Sequence, residues 1–333
     1  MLTRSEILLE YGKCLQSPVH AIETYLTTKD NTQGGIVPFI LFPKQKEIID
    51  AYEMYRQNLV TKPRQAGIST TTQAYMAYKV AFADKNNPEE LLIIANKLKL
   101  AQKFVKGIKN FVEQMPRWCW GPDYYGTPEN EARDLFEAKN SQTELELPNG
   151  CKIIAVATSE DALRGYAPTW LVFDEAAFID NGADVYAAAM SSVATGGKSI
   201  LISTPKGMDT LYFKTYDGAK KGENNYNIVE MRWHEDPRYN KDLSWLKVKD
   251  LDQAKDVTQE TEYFEETEYE FTMDSYAKRI KDGWKPTSTW YAGMCMNMNN
   301  DKRMISQELD VSFIAEYVRE LVSEIAGRGV LCI

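Results

Sequence analysis

The chain has 333 residues, of which 44% are hydrophobic and 26% are charged, and its net charge is −9. This composition is typical of a globular protein with room for one large domain and a smaller one. The apolar runs are too short to span a membrane, and the N-terminus lacks a signal-peptide pattern. Five scattered cysteines indicate free thiols, and two histidines disfavour a histidine-based metal or triad mechanism. The acidity requires that any contact with nucleic acid be local, transient or shared among subunits.

In chain order, the predicted elements alternate between helices and strands after a loop at 27–39. Helices are predicted at 43–57, 69–83, 98–115, 183–194 and 209–222, and strands at 58–62, 90–97, 169–178 and 198–205. A Pro-Asn-Gly turn predicts a hairpin within 143–157. The alternation indicates βαβ units and a mostly parallel sheet. After about 230 the sequence becomes more polar, and 257–273 is acidic with the spacing of a helix.

The stretch TKPRQAGISTTT nearly matches the phosphate-binding pattern G-x-x-x-x-G-K-[ST], and it lies between a strand and a helix. Gly67 and Ser69 occupy the last glycine and the hydroxyl position, but Ile68 replaces the lysine. Amide groups at the helix start favour a phosphate, and the Ser69 hydroxyl suits Mg²⁺. Lys62 or Arg64 could supply the missing positive charge. From the loop alone, a plain turn with Ser69 as helix N-cap is an equally good interpretation.

Two further strand ends carry polar groups. The run LVFDEAAF predicts a buried strand that ends in Asp174 and Glu175. In a phosphate-loop ATPase the aspartate holds Mg²⁺ and the glutamate polarises the attacking water. Adjacent carboxylates at the end of a buried strand are costly unless they bind something, although a solvated loop is the alternative. The run SILISTPKG could place Ser203 and Thr204 near a γ-phosphate, or it is a strand followed by a turn.

Four segments together resemble the large terminase subunit of tailed bacteriophages, the ATP-driven motor that packages DNA. They are PKQ, PRQAGIST, ALRGYAPTWLVFDEAAF and ILISTPKG, in that order and spacing. The resemblance extends from about 35 to 313 and is best to myovirus-type terminases. It implies an α/β fold: a P-loop NTPase of the ASCE type with a mostly parallel central sheet flanked by helices, plus a small lid subdomain. One strand would lie between the loop strand and the Asp-Glu strand.

The resemblance implies a role for each matching residue. Arg64 would grip the phosphates and Glu175 would be the catalytic carboxylate. Ser69 and Asp174 would bind Mg²⁺. Arg164 resembles the arginine that some terminases insert into a neighbouring subunit's site, with a surface cation as the equal alternative. The residues implied to contact ATP are Gln45, Lys62, Arg64, Gln65, Ala66, Gly67, Ile68, Ser69, Thr70, Ser203 and Thr204.

Two further matches concern nucleotide reading and coupling. Gln45 matches a glutamine that reads adenine, and its alternative is an ordinary exposed helix residue. Ser203, Thr204 and Pro205 match the motif that couples hydrolysis to motion in the family.

The resemblance also predicts the domain organisation. Residues 1–39 would be an N-terminal arm that contributes to the lid, 40–230 the ATPase core, 231–310 a lid or linker subdomain, and 311–333 a short C-terminal tail. Full-length terminases carry an RNase H-like nuclease domain after the motor. The twenty residues after Phe313 are typical of one short helix, so we expect a motor without its nuclease in this chain.

The implied cofactors are ATP and Mg²⁺, and the implied partners are double-stranded DNA, the portal protein of a procapsid, the small terminase subunit and further copies in a pentameric ring. No membrane is implied, and the location would be the host cytoplasm. The lysine-rich segment 96–110 is a candidate DNA-facing surface, and a solvated helix is the alternative.

Two other functions are weighed against this one. A helicase-like translocase should carry a second motor domain, for which the chain has no room. A nucleotide-binding assembly module, or an inactive remnant, would bind nucleotide without turnover.

Overall fold

The computed structural model describes residues 3–29, 34–120, 141, 143–158, 165–193, 196–247, 260–263 and 284–313. The chain forms two compact units, 1–230 and 231–333. The helix predicted after Phe313 and the predicted interface residue Arg164 lie outside the described residues. Among the helices that the structure describes, none is long and apolar enough to cross a membrane.

The first unit contains a two-stranded ribbon and a seven-stranded sheet. The ribbon strands are β1 (Thr27–Lys29) and β2 (Ile36–Pro38), and the sheet strands are β3 (Gln57–Thr61), β4 (Glu90–Ala95), β5 (Glu144–Glu146), β6 (Lys152–Val156), β7 (Trp170–Asp174), β8 (Lys198–Ser203) and β9 (Asn227–Glu230). The strand order in the sheet is β5-β6-β4-β7-β8-β3-β9. Neighbouring strands are parallel except β5, which pairs antiparallel with β6.

The described helices of this unit are α1 (Arg4–Gln16), α2 (Pro18–Tyr25), α3 (Pro43–Met54), α4 (Ile68–Ala81), α5 (Leu98–Val112), α6 (Gly182–Ser192) and α7 (Leu211–Lys221). The middle residues of the central strands are apolar, and 91–94 in β4 is fully buried. Continuous burial of this kind requires helices on both faces of a parallel sheet. The predicted α/β class and the predicted extra strand, which is β8 between β3 and β7, are confirmed.

The N-terminal helices begin at well-formed caps. Thr3 and Glu6 form a reciprocal capping box at the start of α1. Ser17 ends α1, and its hydroxyl accepts a hydrogen bond from the His20 backbone N–H at the start of α2. Ile22 is fully buried, and α2 packs on α4 within the first unit. The lid contribution of 1–39 stays a prediction.

Several predicted boundaries are wrong, each for a local reason. The helix predicted at 43–57 ends at Met54, because Gln57 already pairs in β3. The strand predicted at 169–178 ends at Asp174, because Glu175 turns into the left-handed region. The strand β9 was not predicted, since it has four residues and only one of them is buried.

The second unit contains a small antiparallel sheet and an aromatic cluster. The strands are β10 (Ser244–Lys247), β11 (Glu260–Tyr263) and β12 (Trp284–Thr287), in the order β11-β10-β12, followed by α8 (Thr289–Asn297) and α9 (Lys302–Glu308). The helix predicted at 257–273 is therefore wrong at 260–263, where strand pairing overrides helical spacing. Buried Trp233 stacks on Tyr291, with 4.7 Å between the ring centroids.

Candidate active site

The loop between β3 and α4 carries the near-match to the phosphate-binding pattern. Gly67 is the N-cap of α4 and has a φ of 76°, a conformation that glycine adopts without strain. Because α4 begins at Ile68, Ser69 is not its N-cap, and that part of the alternative interpretation is wrong. The first backbone N–H groups of a helix have no partner within the helix, so they can bind an anion here.

The position of the usual lysine is part of the core in this protein. Ile68 is 1% exposed. Lys62, at the beginning of the loop, is the buried cation instead. Its ammonium donates to Glu175 Oε1 at 2.9 Å, and its side chain is 7% exposed. Arg64 and Gln65 lie on the exposed turn of the loop.

The two adjacent carboxylates both contact the loop. Ser69 Oγ donates to Asp174 Oδ1 at 2.8 Å, while Glu175 pairs with Lys62. Burial raises the pKa of Asp174, and the neighbouring charge of Glu175 raises it further; Lys62 and the Ser69 hydrogen bond oppose this. Glu175 has a φ of 53°, a conformation that costs a non-glycine residue about 1–3 kcal/mol.

Ser203, at the end of β8, contacts both the start of the loop and the turn that follows Asp174. The Ser203 carbonyl accepts from the Lys62 backbone N–H at 3.1 Å, and Ser203 Oγ accepts from the Ala177 backbone N–H at 3.1 Å. Ser203 and Thr204 are both buried. Ser203 thus fixes the start of the loop relative to the turn that contains Glu175. Its predicted role near a γ-phosphate stays a prediction.

Gln45 lies under the loop and is 3% exposed, so the alternative of an ordinary exposed helix residue is wrong. Its Oε1 accepts from the Phe42 backbone N–H at 3.0 Å, and its Nε2 is 3.5 Å from the Ala66 carbonyl oxygen. These contacts hold the loop against α3. Reading of adenine by Gln45 stays a prediction, as does the role of half-buried Thr70.

The residues present fit a divalent cation such as Mg²⁺. Ser69 Oγ and Asp174 Oδ1 are oxygen atoms 2.8 Å apart at the carboxyl edge of the sheet. Mg²⁺ prefers oxygen ligands, with one or two from the protein and the others from water and phosphates.

Two features of the site were not found from the sequence. Lys62 and Glu175 are separated by 113 positions, and only the strand order brings them together. Asn96, directly after β4, also ends at this edge of the sheet. A polar residue after a buried strand was the one available signal for Asn96.

The order of the strands, the loop at the start of α4 and the carboxylates at the end of β7 define the P-loop NTPase class of fold. The profile of the family described as "Terminase large subunit, T4likevirus-type, N-terminal" matches residues 59–280, more than half of the chain. The chain therefore belongs to this family.

Individual relatives are more distant. The Mu-like prophage FluMu protein gp28 of Haemophilus influenzae is 24% identical over 202 residues, which are 59% of this chain and 38% of that protein. The HK97 bacteriophage large terminase structure has a TM-score of 0.48 and 15% identity, covering 66% of this chain and 47% of that one. The large terminase ATPase domain of Thermus phage P74-26 has a TM-score of 0.45 and 14% identity, covering 80% and 93%. The chain spans less than half of the length of gp28 and of the HK97 protein.

Proposed function

We propose that this chain hydrolyses ATP and that hydrolysis drives double-stranded DNA into a viral procapsid. One observation carries the proposal: the loop contacts both carboxylates, through Lys62 to Glu175 and through Ser69 to Asp174. Family membership supports the same function, because the family is named for the large terminase subunit.

In the proposed reaction, the phosphates of ATP lie against the first N–H groups of α4. Ser69 and Asp174 would hold Mg²⁺, which when bound neutralises charge on the phosphate oxygens. Glu175 accepts a proton from water as the water oxygen attacks the γ-phosphorus, and the bond to the bridging oxygen of ADP breaks. Arg64, on the exposed turn, contacts the phosphates from the outer side of the loop.

The ion pair of Lys62 with Glu175 gives the site a resting arrangement. A carboxylate paired with an ammonium is a weaker base than an unpaired one. The γ-phosphate carries more negative charge than one carboxylate, so bound ATP competes for Lys62. Glu175 then becomes available to water only when nucleotide is present.

The outer face of α5 is the proposed contact with DNA. The apolar residues of this helix are buried, whereas Lys99, Lys103 and Lys106 are exposed. These lysines and Lys109 line a groove of about 530 Å³ that also contacts the edge of the sheet at Leu145. Lysines on one helix face suit a phosphate backbone, and a few such contacts are sufficient in a protein whose net charge is −9.

The remaining parts of the proposal concern the assembly. A pentameric ring at the portal, contact with the small terminase subunit, insertion of Arg164 into a neighbouring site, and movement of 231–310 as a lid belong to this proposal. The host cytoplasm is the proposed location.

Steady-state ATP hydrolysis with Mg²⁺, with and without duplex DNA, tests the proposal. We expect turnover by the parent chain, and a loss of about 10²–10⁴-fold in Glu175→Gln with nucleotide binding retained, because the amide cannot accept the proton. Glu223→Gln, at an exposed glutamate, is the control and should keep full turnover. Nucleotide binding without turnover by the parent, even with DNA and procapsids, would favour the assembly module.

A further inference from the structure

The break between α1 and α2 brings a carboxylate, a thiol and an imidazole together. Glu10 and Cys14 are four residues apart on α1, so their side chains lie on the same face of that helix. Ser17 ends α1 in an extended conformation, and His20 lies in the first turn of α2. His20 Nε2 is 2.6 Å from Glu10 Oε1. One ligand atom from each of Glu10, Cys14 and His20 lies within 4.8 Å of the other two.

The chemistry of these three side chains suits zinc. Among the residues that the structure describes, they form the one group of three metal-binding side chains with this spacing. Thiolate and imidazole ligands favour Zn²⁺, whereas Mg²⁺ prefers oxygen ligands only. Zn²⁺ is held at about 2.0–2.3 Å by sulfur, nitrogen and oxygen atoms, so side-chain rotations suffice to close the group around it. A thiolate and a carboxylate carry one negative charge each and would neutralise the divalent ion.

The three side chains also differ in burial in a way that gives a metal ion access. Cys14 is fully buried, the side chain of Glu10 is 15% exposed and that of His20 is 36% exposed. The group therefore opens to solvent at His20, where water can take the fourth coordination position. Lys13, on the exposed side, contacts the other carboxylate oxygen of Glu10, Oε2, at 2.9 Å, so Oε1 remains for the metal.

Cys14 is an unreactive thiol unless a metal ion binds it. Burial raises the pKa of the Cys14 thiol to about 12, so it keeps its proton at neutral pH. A coordinating thiol is deprotonated by the metal itself. On binding, the S–H bond of Cys14 breaks, a sulfur–metal bond forms and the proton goes to water. The imidazole stays neutral, with its one proton on Nδ1 and the lone pair of Nε2 on the metal.

We propose that Glu10, Cys14 and His20 bind one Zn²⁺ ion that joins α1 to α2. The role is structural: α2 packs on α4, the helix that begins at the candidate phosphate loop, so the ion would fasten α1 to a helix of the first unit's core. This site is separate from the candidate active site and does not depend on the proposed ATP hydrolysis.

The experiment titrates the metal-free full chain with Co²⁺ and then with Zn²⁺. Cobalt bound to a thiolate gives an intense near-ultraviolet absorption band, and tetrahedral cobalt gives a visible band. We expect both bands to appear at one Co²⁺ per chain and to vanish as Zn²⁺, which binds such sites more tightly, replaces it. The ligands proposed for Mg²⁺ at the active site are oxygens, so cobalt bound there gives no thiolate band. Zn²⁺ should also raise the unfolding temperature of the parent chain, because it binds the folded state.

Two variants test the ligands. Cys14→Ala should abolish the thiolate band. His20→Gln, at a half-exposed position that the fold tolerates, should weaken Co²⁺ binding more than the roughly 10–100-fold that follows loss of a partner behind a ligand. Neither variant should gain unfolding temperature from Zn²⁺. If Cys14→Ala does not fold, His20→Gln alone decides.

Cys151→Ala and Cys295→Ala are the matched controls, and both should keep the band and the stabilisation by Zn²⁺. Cys151 is a buried thiol that accepts a hydrogen bond from the Glu89 backbone N–H, and Cys295 is a more exposed one. Absence of a thiolate band in the parent would overturn the inference and leave Glu10 and His20 as an ion pair beside a core cysteine. A band lost in Cys295→Ala but kept in Cys14→Ala, or undiminished Co²⁺ affinity in His20→Gln, would also overturn it.

Discussion

The carboxyl edge of the sheet and the outer face of α5 both carry lysines, but the lysine at the edge is buried and most of those on α5 are exposed. At the edge, Lys62 is buried and joined to Glu175 across β8. On α5, Lys103 and Lys106 are exposed on a face whose reverse side is the apolar core. An ion pair with one buried partner has restricted geometry and is screened less by salt, whereas exposed charges act at long range and are screened. The first arrangement suits chemistry, and the second suits reversible contact with a polyanion.

The largest expected effect is on ATP turnover, and it should differ between the two cations of the loop, Lys62 and Arg64. Lys62→Met keeps the length of the side chain but removes the charge that bound ATP would draw to its γ-phosphate, and we expect kcat to fall about 10²-fold. Arg64→Met, on the exposed turn, should raise KM for ATP about tenfold and change kcat less, because one charge-assisted hydrogen bond is lost. ATP titrations of initial rate measure both. Equal kcat losses, or a larger loss in the arginine variant, would remove the distinction between buried and exposed cation.

A smaller effect is expected on α5 and should depend on salt. Lys103→Ala together with Lys106→Ala should weaken binding to duplex DNA about tenfold at low salt and reduce the salt slope by about 2, with basal ATP turnover unchanged. Binding measured by fluorescence anisotropy at several salt concentrations gives both quantities. Lys220→Ala with Lys221→Ala is the control, since these lysines lie near Glu230 and Asp217. Equal losses in both pairs would indicate non-specific charge attraction instead of a defined surface.

The smallest effect concerns stability. A raised pKa means that the fold disfavours the ionised form of Asp174, so this residue destabilises the protein as pH rises above its ordinary value of 3.8. We expect Asp174→Asn to unfold about 2–4 °C higher than the parent at pH 7 in metal-free buffer. The gain should vanish near pH 3, where the parent carboxyl is protonated. Thermal melts at both pH values test this, with exposed Asp209→Asn as the control; an equal gain at pH 3 would exclude ionisation as the cause.

The sequence predicted the fold where hydrophobic periodicity was strong. The runs that became β4, β7 and β8 are long and apolar, and the turn at Asn149-Gly150 correctly indicated the hairpin of β5 and β6. The edge strand β9 and the strand at 260–263 were missed, because pairing with a neighbouring strand forms them and their own sequences do not show it.

The candidate site was likewise predicted in part: the sequence indicated its residues but not their pairing. Residue types and spacing were enough to select Lys62, Ser69, Asp174 and Glu175 as candidates. Which cation meets which carboxylate depends on the strand order and on the left-handed turn at Glu175, and neither is visible in local sequence.

The buried isoleucine at the start of α4 has a consequence for how such proteins are recognised and engineered. A lysine at Ile68 would restore one letter of the familiar signature, whose first glycine position is held by Lys62, yet it would carry an ammonium group into a position that is 1% exposed. Restoring the consensus letter would therefore damage the protein, and a search that requires that letter would pass over it. In this chain the consensus lysine is absent from position 68, but Lys62 keeps a positive charge at the loop.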